Sequence, residues 1–332
     1  MKVAIIGLGN IARTHYHALT GMEGVEVVGL CDINPEKREL FPRHIPFFQD
    51  YVEMIQLLRP DCVNICLPHY LHYPVTQQCA SMGTNVFVEK PSSLNYQQGL
   101  EFEKLEETYG VKIGICYQSR YNATTKQLKK LLASGEYGKI TGISAVLHWN
   151  RDVQYYKASP WRGNLEQAGG GVLINQAIHT IDLIRCFIGK PCVMISGTVG
   201  NIQHFDHVDV EDFAVANLFF PDNIKVLLSA SLANHRDEGV SIHVDCETAR
   251  FQIQGDKLFL LASPINQLIV QNEKVEVGKA CYGNSHGAIM ADFFSAIQRG
   301  GPYINAAQTI ENLKIIDGIK KSSEESRAVS LA

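Results

Sequence analysis

Two polar side chains sit where proton transfer to and from an alcohol could be carried out. Lys90 lies in Val88-Glu89-Lys90-Pro91, directly after an apolar run, and His179 lies in the almost wholly apolar run Val172–Ile184. A lysine at the carboxyl edge of a parallel strand points into the ligand crevice, where its ammonium can stabilise a developing alkoxide. Pro91 fixes the backbone beside it and can support a cis peptide. A solvent lysine in a loop is the plainer alternative; the strand before it and the proline after it favour the ligand-facing one. Asn175, His179 and Asp182 recur at i, i+4 and i+7, one face of a helix. A lone histidine on an apolar helix is usually a satisfied core residue. Flanked on its own stripe by an amide and a carboxylate, it reads as an oriented acid/base. Asn175 and Asp182 are expected to orient His179 and Lys90.

A second constellation opens the chain. Met1–Ile6 is a short apolar run that breaks into Gly7-Leu8-Gly9-Asn10-Ile11-Ala12, followed by a helical stretch. Gly7 permits a tight turn, Gly9 lets a pyrophosphate approach the backbone, and Ala12 lets the helix pack close. A further strand, Val25–Cys31, ends in Asp32, twenty residues past Ala12, the place for a carboxylate that accepts from adenosine ribose hydroxyls. Gly7, Gly9, Asn10 and Ile11 are therefore expected to cradle a dinucleotide, with Asp32 favouring NAD over NADP by repelling a 2′-phosphate. Arg13 and Lys37 nearby soften that preference. An ordinary βαβ turn with an incidental acid would not put every part in order. Leu67, Pro68 and His72 follow the fourth strand, and with Glu89, Lys90 and Gln118 they are expected at the cofactor. His72 is read as adjacent to the nucleotide without a proton-transfer role. Trp161-Arg162-Gly163 precedes Gly169-Gly170-Gly171, so Arg162 could clamp a carboxylate or phosphate; a surface loop around a buried Trp161 fits equally well.

The elements that must position these groups fall into two sets. Up to about residue 120, apolar strands alternate with helical patterns: Pro35–Leu40, a helix at Tyr51–Arg59, a strand at Cys62–Leu67, a helix at Pro74–Met82, a strand at Asn85–Val88, a helix at Tyr96–Tyr109 and a strand at Val111–Cys116. That alternation predicts a doubly wound parallel sheet over 1–120. Beyond it come a helix at Asn122–Ser134, a long strand Lys139–Trp149 and the helix Val172–Ile188. Strands then follow without intervening helices at Val193–Gly200, Asp212–Phe220, Lys225–Leu232, Val240–Asp245 and Arg250–Gln254. This predicts a second α/β domain over 121–332 with a large open, mostly antiparallel sheet. Helices return at His286–Arg299 and Ala306–Lys321, and the polar tail from Ser322 is expected to fray.

Composition narrows the class. The chain has 332 residues, 45% hydrophobic and 19% charged, with net charge −4, as in an ordinary globular protein. No Lys/Arg-rich run points to nucleic acid, and no uncharged apolar stretch of membrane-spanning length stands out. The nine cysteines, Cys281 among them, are an odd number without a CxxC pair. They read as reduced, buried thiols of a cytoplasmic protein, and no metal site is expected.

Taken together, GLGNIA, VEKP at 88–91, Gln118-Ser-Arg-Tyr121, WRG with GGG, NQAIHTID ending at Asp182, and HGAIMADFFSAI from His286 resemble the glucose-fructose oxidoreductase/inositol dehydrogenase family. The resemblance covers nearly the whole chain. Its members are NAD(P)-dependent sugar and cyclitol oxidoreductases. It implies a Rossmann domain followed by an α/β domain whose open sheet mediates oligomerisation, here a homodimer or homotetramer. It implies reversible hydride transfer between a secondary alcohol of a sugar, sugar nucleotide or cyclitol and nicotinamide, with roles for Lys90, His179 and the position of Asn175. Inositol dehydrogenases have Asp where this chain has Asn175, and the run from Trp161 to Asp182 looks more like that of sugar-nucleotide 3-dehydrogenases. Arg162 and His286 would then lie near an anionic part of the substrate, with Arg120 and Trp161 also in contact. The alternatives are an NAD(H)-binding regulator without chemistry, and an enzyme that keeps its cofactor and cycles two sugars through it.

Overall fold

The computed structural model describes residues 1–204, 206–262, 264–273 and 285–331. They form two compact units. The first holds 1–118 and the described residues of 284–310; the second holds 119–273 and those from Glu311 onward.

The first unit is built on six parallel strands: β1 (Lys2–Ile6), β2 (Glu26–Cys31), β3 (Phe47–Phe48), β4 (Cys62–Ile65), β5 (Asn85–Glu89) and β6 (Ile113–Cys116). Their order is β3-β2-β1-β4-β5-β6, the doubly wound arrangement expected from the alternating pattern. Every residue of β4 and β6 is buried, because helices cover both faces. Asp50 and Asn95 start two of those helices by accepting backbone N–H groups with their side chains. The two-residue β3 is too short to leave a period in the sequence. Helix His69–Ser81 begins five residues before the expected Pro74. Pro68 is its N-cap, and the helix tolerates the missing N–H of Pro74. The expected helix Tyr96–Tyr109 is two helices broken at Lys104.

One late segment corrects the division at residue 120. Helix His286–Arg299 belongs to the first unit, where the Phe293 ring lies 5.5 Å from that of Phe87. Gly114 on β6 makes room for it: a Cβ there would stand 2.7 Å from the Phe293 ring.

The second unit carries nine strands, which continue as β7 (Ile140–His148), β8 (Met194–Gly200), β9 (Phe213–Phe219), β10 (Lys225–Ser231), β11 (Ser241–Cys246), β12 (Arg250–Gln254), β13 (Lys257–Leu260), β14 (Gln267–Gln271) and β15 (Val329–Ser330). The order is β14-β13-β12-β11-β7-β10-β9-β8-β15, antiparallel except for the β7–β10 pair. Strands β13, β14 and β15 add to the six expected. The polar tail does not fray. Helix Ala306–Glu325 runs past Ser322, whose hydroxyl accepts from Gly197 N–H at 3.0 Å, and β15 pairs with β8. Segment Leu165–Ile188 does reach the length and apolarity of a membrane span, contrary to the sequence reading, but 83% of its apolar 18-residue stretch is buried inside the protein. Among the described residues all eight cysteines are free and all but Cys186 are buried; Cys281 lies outside them.

The core helix of this unit starts in an unexpected way. Leu173–Ala177 is a π turn that passes into an α-helix at Ile178–Ile188. Its entry is fixed by Glu211, whose backbone carbonyl accepts from Val172 N–H at 2.9 Å and whose carboxylate accepts from Leu173 N–H at 3.1 Å. A Cβ at Gly171 would sit 1.8 Å from the Glu211 carbonyl oxygen. Backbone on both sides leaves no room to give, so Gly171→Ala should cost at least about 3 kcal/mol. Urea denaturation checks this; a loss below about 1 kcal/mol would contradict it.

Candidate active site

The amino end of the first helix, Asn10–Thr20, is arranged for an anion. Its N-cap is Gly9, with no side-chain cap and no acidic residue in the first turn. A Cβ on Gly9 would meet nothing within 4 Å, so the backbone is open to a ligand there. Gly7 has φ +86, and a Cβ would stand 2.8 Å from the Cys66 carbonyl and the Leu67 side chain. Asp32, at the end of β2, reaches the same loop. One of its oxygens accepts from Leu8 N–H at 2.7 Å and the other from Asn34 N–H at 2.9 Å. Each oxygen keeps a lone pair for a hydroxyl. Gly7, Gly9, Asn10, Ile11, Asp32, Leu67 and Pro68 thus frame one edge of the sheet, and they fit a dinucleotide.

Lys90 follows β5 at that same edge, and its peptide bond to Pro91 is cis. Its backbone is held by Glu89, the residue before it. Glu89 Oε2 accepts from Lys90 N–H at 3.2 Å, and Oε1 accepts from His15 Nε2 at 2.9 Å. Burial alone would raise the Glu89 carboxyl. The hydrogen bond from His15, with the positive charge nearby, outweighs it and holds the group well below the usual carboxylate range. Glu89, expected at the cofactor, thus also braces the backbone of Lys90 from behind. His72 has the ring contacts of a residue without a proton-transfer role. Its Nδ1 faces the Pro91 carbonyl at 2.6 Å and its Nε2 the Leu67 carbonyl at 2.7 Å. Both nitrogens are committed, so His72 ties the β4 loop to the β5 loop. Burial lowers its pKa, and the two carbonyls oppose that. Gln118, also read as a cofactor ligand, is buried behind β6, with its Oε1 3.7 Å from the Cys116 thiol.

His286 is not placed as a substrate ligand. It is 5% exposed, deep in the first unit, its ring 5.8 Å from that of His15.

In the second unit the expected stripe spans a π turn and the α-helix that follows it. Asp182 is fully buried and gives one oxygen to Arg120 Nε at 2.7 Å and the other to Arg120 Nη2 at 2.6 Å and Asn312 Nδ2 at 2.8 Å. It anchors the helix through Arg120 and Asn312. The same pair occupies Arg120, which the resemblance put on the substrate. The helix opens with a π turn at Leu173–Ala177, whose bonds span i→i+5, so Asn175 lies in the turn and His179 in the α-helix after it. Asn175 alone between Gly171 and Ile184 is partly exposed, and His179 is 6% exposed.

Sequence reasoning missed Tyr155. It lies in the short helix Val153–Lys157, and its hydroxyl accepts from Asn175 Nδ2 at 3.3 Å and Gln176 Nε2 at 3.1 Å. Arg162 lies over its ring at 4.7 Å and over that of Trp161 at 5.5 Å. The expected Trp161, Arg162 and Asn175 are thereby brought together around one phenol. The Asp152 cap before Val153 was the available signal; its carboxylate accepts from Tyr155 N–H at 3.0 Å.

The buried His286 has a measurable consequence. Burial, with His15 in the same direction and Glu89 against it, lowers its pKa from 6.5 to about 4. The charged and titratable groups facing it are His15 from the first helix, Glu89 from β5 and Cys116 from β6. As pH falls from 6.5 toward 4, the unfolded chain takes up a proton that the folded chain refuses. Unfolding free energy should therefore drop over that window by something on the order of 3 kcal/mol. His286→Gln should flatten the drop in urea titrations at pH 7 and 4.5; parallel losses in both proteins would contradict the assignment.

Comparison with known proteins agrees with this layout. Residues 1–117 match the model of an oxidoreductase family with an NAD-binding Rossmann fold, and 125–257 match the GFO/IDH/MocA C-terminal domain. D-glucoside 3-dehydrogenase of Escherichia coli is 27% identical over 199 residues, 58% of this chain and 55% of that protein. Glucose-6-phosphate 3-dehydrogenase of Bacillus subtilis is 27% identical over 186 residues, 55% and 52%. The match thus spans about half the length of these curated relatives. The WlbA dehydrogenase of Bordetella pertussis, solved with NADH and UDP-GlcNAcA, shares the fold at TM-score 0.85 and 22% identity, over 100% of this chain and 99% of that one. The chain belongs to the GFO/IDH/MocA family of oxidoreductases, with an NAD-binding Rossmann domain at its amino end.

Proposed function

We propose that the chain is an NAD-dependent dehydrogenase that oxidises a secondary hydroxyl of a hexose unit, with the C3 hydroxyl of a glucoside or sugar phosphate as the first candidate. The observation that carries this reading is the placement of Lys90. It stands at the carboxyl end of β5, the edge of the sheet that also carries the glycine loop and Asp32, and Glu89 grips its backbone. Bound NAD supplies the acceptor for the hydrogen leaving the carbinol carbon. Lys90 donates to the carbinol oxygen as negative charge grows on it. His179 takes the hydroxyl proton, a task suited to an imidazole near neutral pH. Asn175, partly exposed beside Tyr155, hydrogen-bonds a neighbouring sugar hydroxyl, and Arg162 with Trp161 meets an anionic or ring portion of the substrate. The names of the two 3-dehydrogenase relatives support the C3 choice, and the sugar nucleotide held by the WlbA dehydrogenase supports room for an anionic substituent.

Two further features belong to this reading. The sheet of the second unit leaves Val215 on β9 and Leu227 on β10 39% and 48% exposed, which supports self-association into a homodimer or homotetramer. The buried free thiols support a cytoplasmic setting.

The experiment is a panel of glucosides, sugar phosphates, UDP-sugars and cyclitols with NAD or NADP, read as absorbance of the reduced nicotinamide. We expect turnover of a hexose derivative with at least about tenfold higher kcat/KM for NAD, the Asp32 carboxylate opposing a 2′-phosphate. Lys90→Ala and His179→Ala should each lower kcat by about 10²–10⁴-fold. Preference for NADP would refute the role of Asp32, and unchanged turnover in both variants would refute the mechanism.

A further inference from the structure

Behind the end of β5 lies a buried cluster drawn from five separate parts of the first unit. His15 comes from the first helix, Asn64 from β4, Glu89 from β5, Cys116 from β6 and His286 from the late helix. His15 and Asn64 are fully buried. Asn64 Nδ2 faces His15 Nδ1 at 3.2 Å, and His15 Nε2 faces Glu89 Oε1 at 2.9 Å. With the Asn64 amino group on Nδ1, that nitrogen is the acceptor, so the ring proton sits on Nε2 and is donated to Glu89. The other carboxylate oxygen is thereby left to the Lys90 N–H.

We propose that His15 is a positioning residue for Lys90, acting through the Glu89 carboxylate, with Asn64 fixing the tautomer that lets it do so. The inference rests on the oxidoreductase role of Lys90 proposed above. His15 belongs to the helix whose amino end, at Gly9, is open to the cofactor phosphates. One imidazole therefore links the element that binds the nucleotide to the residue that handles the hydroxyl. Without it, a buried carboxylate oxygen loses its donor, Glu89 turns or takes a proton, and its hold on the Lys90 backbone slackens. Small errors of aim at a reacting group cost rate rather than affinity.

The ligand atoms of His15, Glu89, Cys116 and His286 lie within 4.8 Å of one another, a grouping that could also hold a metal ion. The amide orientation argues for the hydrogen-bonded reading: a metal on Nε2 would put the ring proton on Nδ1, against the Asn64 amino group. Zinc content is therefore one arm of the test.

The test compares wild type, His15→Leu, His15→Gln, Lys90→Ala and the double variant His15→Leu/Lys90→Ala. All are assayed with the sugar that wild type turns over best and saturating NAD. His15→Leu should lower kcat about 30- to 100-fold, with the KM for NAD within about threefold. His15→Gln, which still offers an N–H to Glu89, should recover to within about fivefold of wild type. In the Lys90→Ala background, His15→Leu should cost nothing more, because its effect runs through Lys90. Should His15→Leu fail to fold, Asn64→Ala carries the same expectation at smaller size. Losses that multiply in the double variant, a rise in KM for NAD with unchanged kcat, or one equivalent of zinc that disappears in His286→Gln would each overturn the proposal. Full turnover by Lys90→Ala would instead bring down the role of Lys90 itself. An inactive Lys90→Ala beside a fully active His15→Leu would bring down only the His15 link.

Discussion

A single buried carboxylate, Glu89, holds the first unit's chemistry in place. A charge without water must be paired, and Glu89 is paired on one side to a helix and on the other to the backbone of Lys90. The helix begins at the glycine loop, so the grip on Lys90 and the opening for the nucleotide are set by one rigid element. His72 adds a second tie between the loops after β4 and β5. The Lys90 backbone is thus held from behind by Glu89, and the loop that carries it is tied down by His72.

The second unit uses the same device with different residues. Arg120, Asp182 and Asn312 lock the core helix, and Glu211 fixes its π-turn entry. The partly exposed Asn175 donates to the Tyr155 phenol, and Arg162 lies over the rings of Tyr155 and Trp161. A π turn in a core helix costs regular hydrogen bonding, and such turns persist mostly where function uses them.

Much of this was legible in the residues alone. The doubly wound parallel sheet follows from apolar runs separated by helical periodicity, and the glycine loop with Asp32 announces itself by spacing. Lys90 could be placed because a strand ends just before it. The bracing could not be read. His15 and Glu89 are 74 residues apart, and nothing local in either segment points to the other. Helix His286–Arg299 is amphipathic, which says that it packs but not on which sheet, so its histidine looked available for a substrate. Asp182 shows the same limit: its position on an apparent stripe suggested a partner on its own helix, whereas its carboxylate is taken by Arg120 and by Asn312, 130 residues away in sequence. The π turn left no trace in composition.

The central claim is that this chain removes hydrogen from a sugar carbon and delivers it to NAD. The most direct test is to give the purified protein NAD and a glucoside carrying deuterium at C3, and to weigh the reduced nucleotide by mass spectrometry. The account predicts reduced nicotinamide heavier by one mass unit, formed together with the 3-keto sugar. Reduced nucleotide without the label, alongside oxidised sugar that still carries its deuterium, would contradict it.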